Sequence, residues 1–358
     1  MKAIKIQPGA TAAVMDVPVP RLRPDCVIVK TVAVALNPVD WKHIHFVPKT
    51  EGCTVGSDFA GVVRKVGANV STFRPGDRVA GWTHGGNVSN HEDGSFADYV
   101  LAKEGVMLKI PDGVSFTEAA TLGVGISTVC QGLYQSLSVP LPNEPLQERL
   151  PLLVYGGSTA TGTLAIQFAK MSGLDVITTC SPQHHSMVES LGAKAVFDYK
   201  SPTVGKRIRT YTDNKLYHAF DCISTDASAR ICADALSDDV AVKTPIYSSV
   251  LYCAFPRQDV HVNVTVAHTI FGKSFFKPGL GPEDFPASDE DYEFGKRFWQ
   301  ISEKLLAEGK FKVHPPDARA GGLEAVLEGL NEIMRGEVSG KKLVFMLSSA
   351  GQDGVTKS

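Results

Sequence analysis

The stretch Leu152-Leu153-Val154-Tyr155-Gly156-Gly157-Ser158-Thr159-Ala160-Thr161-Gly162-Thr163 decides the fold. Its first four residues are apolar or aromatic, as in a short strand buried on both faces. Two glycines and several small hydroxylated residues then turn the chain, and residues 163–171 continue with helical spacing. A strand that runs through small residues into a helix aims backbone N–H groups and a helix N-terminus at one point, an arrangement suited to a pyrophosphate. Counted from Gly156, the spacing is G-x-x-T-x-x-G, with Thr159 where a middle glycine would stand. Ser158, Thr159 and Thr161 bring hydroxyl donors in compensation.

The same rhythm continues outward. Val176-Ile177-Thr178-Thr179 reads as the next strand, and Met187-Val188-Glu189-Ser190-Leu191-Gly192 as a helix ending at glycine. Ala195-Val196-Phe197 and Ala219-Phe220-Asp221-Cys222-Ile223 read as further strands. This β-α-β-α-β alternation predicts a doubly wound parallel sheet of the Rossmann kind. NAD-binding sheets usually end the second strand in Asp or Glu, which bonds the ribose hydroxyls. Here it ends Thr179-Cys180-Ser181-Pro182-Gln183-His184, with no acid to repel a 2′-phosphate and with Ser181 and His184 able to donate to one. That favours NADPH. Tyr199, just beyond the third strand, is a candidate to lie against the adenine.

Before this region the chain reads as β-rich. Val27-Ile28-Val29, Thr31-Val32-Ala33-Val34-Ala35, Phe59-Ala60-Gly61-Val62-Val63 and Asp77-Arg78-Val79-Ala80 are short apolar runs, divided by turn signals such as Arg74-Pro75-Gly76-Asp77. They predict a partly closed β fold. Ser115 followed by Glu118 is a capping-box pattern that opens helical, mostly apolar sequence through Leu137. Residues 140–151 hold four prolines and read as an exposed loop, and residues 277–291, rich in Pro, Gly and acids, as another. Helices are expected over 292–308 and 323–335. The run Lys342-Leu343-Val344-Phe345-Met346-Leu347 is a strand without a sheet nearby in sequence, which sends it back to the N-terminal domain.

With 358 residues, 43% hydrophobic and 21% charged, the chain has the composition of a soluble protein of two domains. A net charge of −2 and the lack of a long basic run argue against nucleic acid as a partner. No apolar run is long enough to span a bilayer, Met1-Lys2-Ala3-Ile4-Lys5-Ile6 does not open a signal peptide, and Gly354-Val355-Thr356-Lys357-Ser358 carries no lipidation or retrieval signal. The cytosol is the expectation. Seven scattered cysteines without a C-x-x-C pair predict neither a disulfide framework nor a cysteine-rich zinc site.

Several separated stretches together resemble the zinc-free medium-chain dehydrogenase/reductase superfamily over nearly the full length. They are Ala35-Leu36-Asn37-Pro38-Val39-Asp40, Val55-Gly56-Ser57-Asp58-Phe59-Ala60-Gly61, Arg74-Pro75-Gly76-Asp77-Arg78-Val79 and Gly94-Ser95-Phe96-Ala97-Asp98-Tyr99. More narrowly, the chain resembles the stand-alone, trans-acting enoyl reductases of fungal polyketide synthases, the lovastatin type included. That likeness rests on Val154-Tyr155-Gly156-Gly157-Ser158-Thr159-Ala160-Thr161, Phe197-Asp198-Tyr199, Ile208-Arg209-Thr210-Tyr211-Thr212, Thr269-Ile270-Phe271-Gly272 and Ser339-Gly340-Lys341-Lys342-Leu343-Val344.

The resemblance implies a GroES-like catalytic domain built from residues 1–125 and 271–358, with a Rossmann NADPH-binding domain over 126–270 inserted between them. It implies reduction of an α,β-unsaturated thioester on the carrier domain of a polyketide synthase, possibly a polyketide–peptide hybrid. By matching positions, Ser158, Thr159, Ala160, Thr161, Ser181, Pro182, Gln183, His184, Tyr199, Ser339 and Gly340 would contact NADPH, with Val39, Asp40, Trp41 and Lys42 at the nicotinamide side. Thr128, Val129, Cys130, Gln131, Gly132, Leu133, Tyr134 and Gln135, with His268, Thr269, Ile270, Phe271 and Gly272, would line the substrate cleft.

The zinc-ligand positions of this superfamily read Asn37-Pro38-Val39-Asp40 and Gly56-Ser57-Asp58, without Cys or a Gly-His-Glu run, so no metal is expected. Hydride addition to an enone leaves negative charge on the carbonyl oxygen, which needs an aimed donor. Lys42, Thr128, a backbone N–H and the cofactor ribose hydroxyl are the candidates. No residue pair announces itself as the source of the α-carbon proton, and bulk water ranks first. Asp40 reads as a structural carboxylate that bonds backbone. A free-standing quinone or alkenal reductase is the alternative function, and a non-catalytic NADPH-binding partner protein the third. Pro245 and Pro256 disfavour a long pairing edge over 244–268, which points to a monomer.

Overall fold

The computed structural model describes residues 1–279 and 282–347. The C-terminal residues Gly354–Ser358, read above for signals, lie outside them. The chain forms two compact units: a first of Met1–Val124, His268–Glu308 and the chain from Val313 on, and a second of Gly125–Ala267 with Gly309–Lys312.

The second unit is built on a six-stranded, wholly parallel sheet of Pro151–Tyr155, Asp175–Cys180, Ala195–Asp198, His218–Asp221, Ile246–Ser249 and His261–Val264. Numbered along the chain, the strands lie in the order third, second, first, fourth, fifth, sixth. This is the Rossmann order, in which the direction of winding reverses beside the first strand. Leu153, Ile177, Ala219 and Tyr247 stand in neighbouring strands and share one buried cluster with Ile208 and Cys232 of the covering helices. The helix Ala160–Met171 buries Leu164, Ala165, Ile166 and Phe168. His185–Leu191 ends at Gly192, whose φ of +113° suits a residue without a side chain. Residues 141–150 are irregular and mostly exposed.

The helical stretch before that sheet differs from its expectation. The α-helix runs over Gly123–Val129 and then continues as a π-helix over Cys130–Ser136. Wide helical turns of this kind lie outside what a 3.6-residue period can signal, and they are frequent at functional sites.

The first unit carries a seven-stranded sheet around the ten-residue strand Cys26–Ala35. The two short runs read from sequence are one strand, because Lys30 merely interrupts an otherwise buried row. Asp58–Val66 pairs along it with two register shifts, at Ile28/Val29 and Thr31/Ala33. Such irregularities bend a strand and help a sheet curl. Tyr99–Lys103 pairs with its first half, and the C-terminal strand Lys342–Met346 lies antiparallel to its second half. Ser115 and Glu118 close the expected capping box on the short helix Phe116–Ala119. The helices expected near 292 and 323 run over Asp289–Ala307 and Gly322–Met334. The loop expected over 277–291 is corrected in part. Phe275–Phe276 and Asp284–Phe285 pair antiparallel, and Ser288 caps the following helix. Phe275 stacks on Phe285 at 4.7 Å, so aromatic packing overrides a composition that reads as loop.

Candidate functional site

In the second unit the candidate cofactor residues follow the carboxyl ends of the first three strands. Gly156 turns the chain with φ +83°. A Cβ on Gly157 would fall 2.1 Å from the Thr178 hydroxyl, and one on Gly162 would fall 2.2 Å from the Gly156 carbonyl oxygen. Only glycine permits this close return of the loop against its own strand and helix. Thr159 is the N-cap of the helix: its hydroxyl accepts from Gly162 N–H at 2.9 Å and donates to Gly156 O at 2.8 Å. The expectation that Thr159 donates to a phosphate is thereby revised, because its single hydroxyl proton is engaged inside the turn. Ser158, Ala160 and Thr161 remain half-buried at the helix N-terminus, whose first-turn N–H groups have no intrahelical acceptor.

Thr179, at the end of the second strand, braces the turn by accepting Gly156 N–H on its hydroxyl and Gly157 N–H on its carbonyl. Ser181 then caps a short turn over Pro182–His184, in which Gln183 Nε2 and His184 Nε2 lie 3.2 Å apart. Tyr199, 38% exposed, follows the third strand. The sequence reading passed over the end of the fourth strand. There Asp221 accepts the N–H groups of Ile223 and Ser224 on one oxygen and the Tyr247 hydroxyl on the other. Ser224 (φ +60°) in turn receives Val250 N–H. Ile223 is 39% exposed and packs over Gly156, so it borders the same turn.

Thr128 stands one residue before the end of the α-helix Gly123–Val129 and is buried. Val129, Cys130, Gln131, Leu133 and Tyr134 are buried within the unit, and Gln135 is half-buried. A Cβ on Gly132 would meet the Phe220 ring at 2.3 Å, and the Tyr134 hydroxyl lies 3.1 Å from Ser172 Oγ. Much of this stretch therefore packs against its own sheet.

In the first unit, Val39, Asp40, Trp41 and Lys42 occupy the helix Pro38–His45. Asp40 is buried, and burial pushes its carboxyl up to about 7. One of its oxygens accepts Asn37 N–H at 2.7 Å and the other accepts the Ser57 hydroxyl at 2.7 Å. Both are engaged in holding the helix start. Lys42 is half-buried, lies 5.9 Å over the Trp41 ring, and has its pKa lowered by burial. Among the described residues no carboxylate pairs with it. Beneath the helix, Lys342 Nζ donates to Asn37 Oδ1 at 2.8 Å, Asp58 Oδ2 at 2.5 Å and Thr121 O at 3.4 Å. Ser339 is exposed and Gly340 (φ +67°) turns the chain into that strand. His268, Thr269, Ile270, Phe271 and Gly272 form a short turn in which His268 and Ile270 are buried and Thr269 donates to Asp291.

Among the described residues, no group of three or more His, Cys, Asp or Glu is placed to hold a metal ion. Burial pushes the Cys53 thiol up to about 12, and Cys53 Sγ contacts Asn87 O. Asp58 is taken by Lys342, and the His84 ring stacks with Phe271. These residues do not fit zinc, which needs deprotonated or neutral donors converging on one point. All seven cysteines are free thiols. No helix among the described residues is long and apolar enough to cross a membrane.

Residues 23–112 match the alcohol dehydrogenase GroES-like domain family, and residues 160–241 match the zinc-binding dehydrogenase family. A solved quinone oxidoreductase from Pseudomonas syringae pv. Tomato DC3000 superposes with a TM-score of 0.72 at 23% identity, covering 96% of this chain and 99% of its own. That likeness establishes the fold, a GroES-like β unit with a Rossmann unit. The trans-enoyl reductase resD of Aspergillus sclerotiorum is 46% identical, over 96% of this chain and 98% of its own length. ACTTS2 of Alternaria alternata, also a trans-enoyl reductase, is 43% identical over 97% and 98%. The chain belongs to the trans-enoyl reductases of the medium-chain dehydrogenase/reductase superfamily.

Proposed function

We propose that this chain is a trans-acting enoyl reductase of secondary metabolism, using NADPH to reduce an α,β-unsaturated polyketide thioester on a synthase carrier domain. Family membership over nearly the whole chain, with relatives named trans-enoyl reductases, carries this reading. The second-strand end supports NADPH over NADH, because Ser181 and His184 stand where an acid would repel a 2′-phosphate. A dinucleotide held by its pyrophosphate at the glycine turn would supply, from its reduced nicotinamide, a hydride for the β carbon.

The chain's own residues do the rest. Gly156, Gly157 and Gly162 keep the turn tight enough for a pyrophosphate to reach the helix N-terminus. Lys42 donates to the thioester oxygen as negative charge gathers there; its burial without a carboxylate partner strengthens that interaction. The Thr128 hydroxyl is the second candidate donor. The α carbon takes its proton from water. Residues 1–125 and 271–358 serve as the catalytic part and 126–270 as the cofactor part. The chain acts as a cytosolic monomer, a reading supported by the four-residue edge strand His261–Val264.

The test is NADPH oxidation by the full chain with a short α-methyl enoyl thioester of pantetheine, beside NADH, beside a simple quinone, and with a chelator present. Chelator-resistant, NADPH-preferring turnover of the thioester is expected. Turnover of the quinone alone would overturn the tethered-substrate reading.

A further inference from the structure

The first unit holds a cluster of polar side chains of which the enoyl reductase reading uses only His268, as part of the turn expected to line the substrate cleft. His43 of the helix Pro38–His45, His84 just after the strand Arg78–Trp82, and His268 of the following turn meet there. The His84 and His268 rings lie 4.2 Å apart, and His43 lies 6.0 Å from His268. Trp82 packs on His268 at 5.1 Å, and Phe275 packs on His84 at 5.1 Å. Lys277, one residue past the strand Phe275–Phe276, is buried close enough for its charge to act on all three imidazoles.

All five polar residues are at least nine-tenths buried: Trp82 at 1% exposure, His43 at 2%, Lys277 at 6%, His84 at 7% and His268 at 8%. Yet among the described residues neither ring nitrogen of His43 has a hydrogen-bond partner, nor does the Trp82 indole N–H. Among the described residues no carboxylate reaches Lys277; desolvation alone acts on its ammonium. Buried polar groups in folded proteins are almost always satisfied, and a buried ammonium without a counter-ion is costly. Several such groups in one cluster indicate a missing partner. Among the described residues no group that includes these imidazoles is placed to hold a metal ion. What the cluster lacks is a counter-charge: Lys277 and Trp82 are donors only, and each neutral imidazole offers one N–H and one uncharged acceptor nitrogen.

Space adjoins it. A cavity of about 190 Å³ shares His84, Phe271 and Phe275 with the cluster and is also lined by Arg23, Lys103 and Lys273. The carboxylates near those cations are already engaged, Asp93 by Arg23 and Asp25 by Lys103 and Lys273. Gly86 fixes the His43 edge of the cluster, because a Cβ there would come within 2.7 Å of the ring.

We propose that Lys277, Trp82 and the histidines His43, His84 and His268 form a binding site for a small oxyanion, a carboxylate or phosphate group, for which the Lys277 ammonium is the counter-charge. The proposal stands apart from the enoyl reductase reading, since an oxyanion held here requires no turnover. Burial lowers Lys277 to about 7 and holds all three imidazoles neutral, so affinity falls as pH rises through about 7 and the ammonium is lost. The other charged groups around the cavity are Arg23, Lys103, Lys273, Asp25 and Asp93. All of these are paired.

The experiment titrates the full-length protein with sodium acetate and, separately, with inorganic phosphate, at constant ionic strength with chloride. The readout is the part of the tryptophan emission change that disappears in Trp82→Phe. A saturable change is expected, at least tenfold weaker in Lys277→Met and largely restored in Lys277→Arg. Acetate binding better than phosphate assigns a carboxylate, and the reverse order assigns a phosphate ester. A phosphate bound at the glycine turn would not depend on Lys277. No saturable change with either ion, or equal half-saturation in wild type and Lys277→Met with circular dichroism unchanged, would overturn the proposal.

Discussion

Lys342→Met tests the buried ion pair that ties the last strand to the start of the helix bearing Lys42. Lys342 is 4% exposed, Asp58 is fully buried, and Lys342 Nζ bonds Asp58, Asn37 and the Thr121 carbonyl. Methionine fills similar space but leaves the Asp58 carboxylate with only the Val124 N–H, at 2.6 Å. Breaking one side of a buried pair costs about 3–5 kcal/mol, chiefly because the remaining charge is uncompensated. At roughly 2–4 °C per kcal/mol for a unit of this size, the melting temperature should fall by about 6–20 °C. Asp58→Asn with Lys342→Met removes both charges and keeps an amide oxygen for Val124. It should recover more than half of the loss, a coupling that a double-mutant cycle reads directly. Differential scanning calorimetry of the wild type, both single variants and the double variant is the assay. A shift below 2 °C for Lys342→Met, or strictly additive single effects, would refute the claim that the pair acts as a unit.

Four further outcomes are expected. Lys42→Met should lower kcat/KM for an enoyl thioester by about 100- to 1,000-fold, the loss of one aimed donor, while NADPH affinity changes far less; equal losses in both would remove Lys42 from the chemistry. Ser181→Asp should weaken NADPH by tenfold or more relative to NADH in fluorescence titrations, because a carboxylate would face the 2′-phosphate. Thr159→Ala should destabilise the second unit by about 1 kcal/mol through the lost cap, seen as an earlier urea transition, and weaken either dinucleotide only a few-fold. Lys277→Met should raise the melting temperature and flatten its pH dependence. Lys277 has a folded pKa of about 7, below its ordinary 10.5, so the unfolded chain binds the extra proton between those values. Stability is therefore depressed below about pH 7 and recovers as pH rises towards 10.5, and that slope should vanish in the variant.

What was legible in the sequence follows from how local each signal is. The strand–turn–helix at Leu152–Thr163, the glycine end at Gly192 and the capping box at Ser115 are each written in a few adjacent residues. So was the class of the fold, because alternating periods of two and 3.6 leave few arrangements for a parallel sheet. The engagement of the Thr159 hydroxyl inside its own turn was not legible, since a threonine at that position reads equally well as cap or as phosphate donor. Nor was the π-helix over Cys130–Ser136, because its wide turns depend on packing such as Gly132 against Phe220. The hairpin at Phe275 was hidden by loop-like composition. The Ile223–Ser224 border of the cofactor turn depends on a strand three places away in sequence order but adjacent in the sheet.

The two buried lysines of the first unit show why residue type alone could not separate structure from function. Lys342 and Lys277 are exposed to similar small extents, 4% and 6%. Lys342 is 284 residues from Asp58 in sequence, yet the antiparallel pairing of its strand with Cys26–Ala35, itself paired to Asp58–Val66, brings the two together. Every direction of its ammonium is answered by a carboxylate, an amide oxygen or a carbonyl, so the fold accounts for it completely. Lys277 is buried to the same depth from a short hairpin, and among the described residues no carboxylate pairs with it. A folded chain tolerates an unanswered buried charge only where something outside the chain completes it or where the loss of stability is outweighed by use. The paired lysine holds the helix that carries Lys42, and the one without a counter-charge is the residue on which the proposed oxyanion site turns.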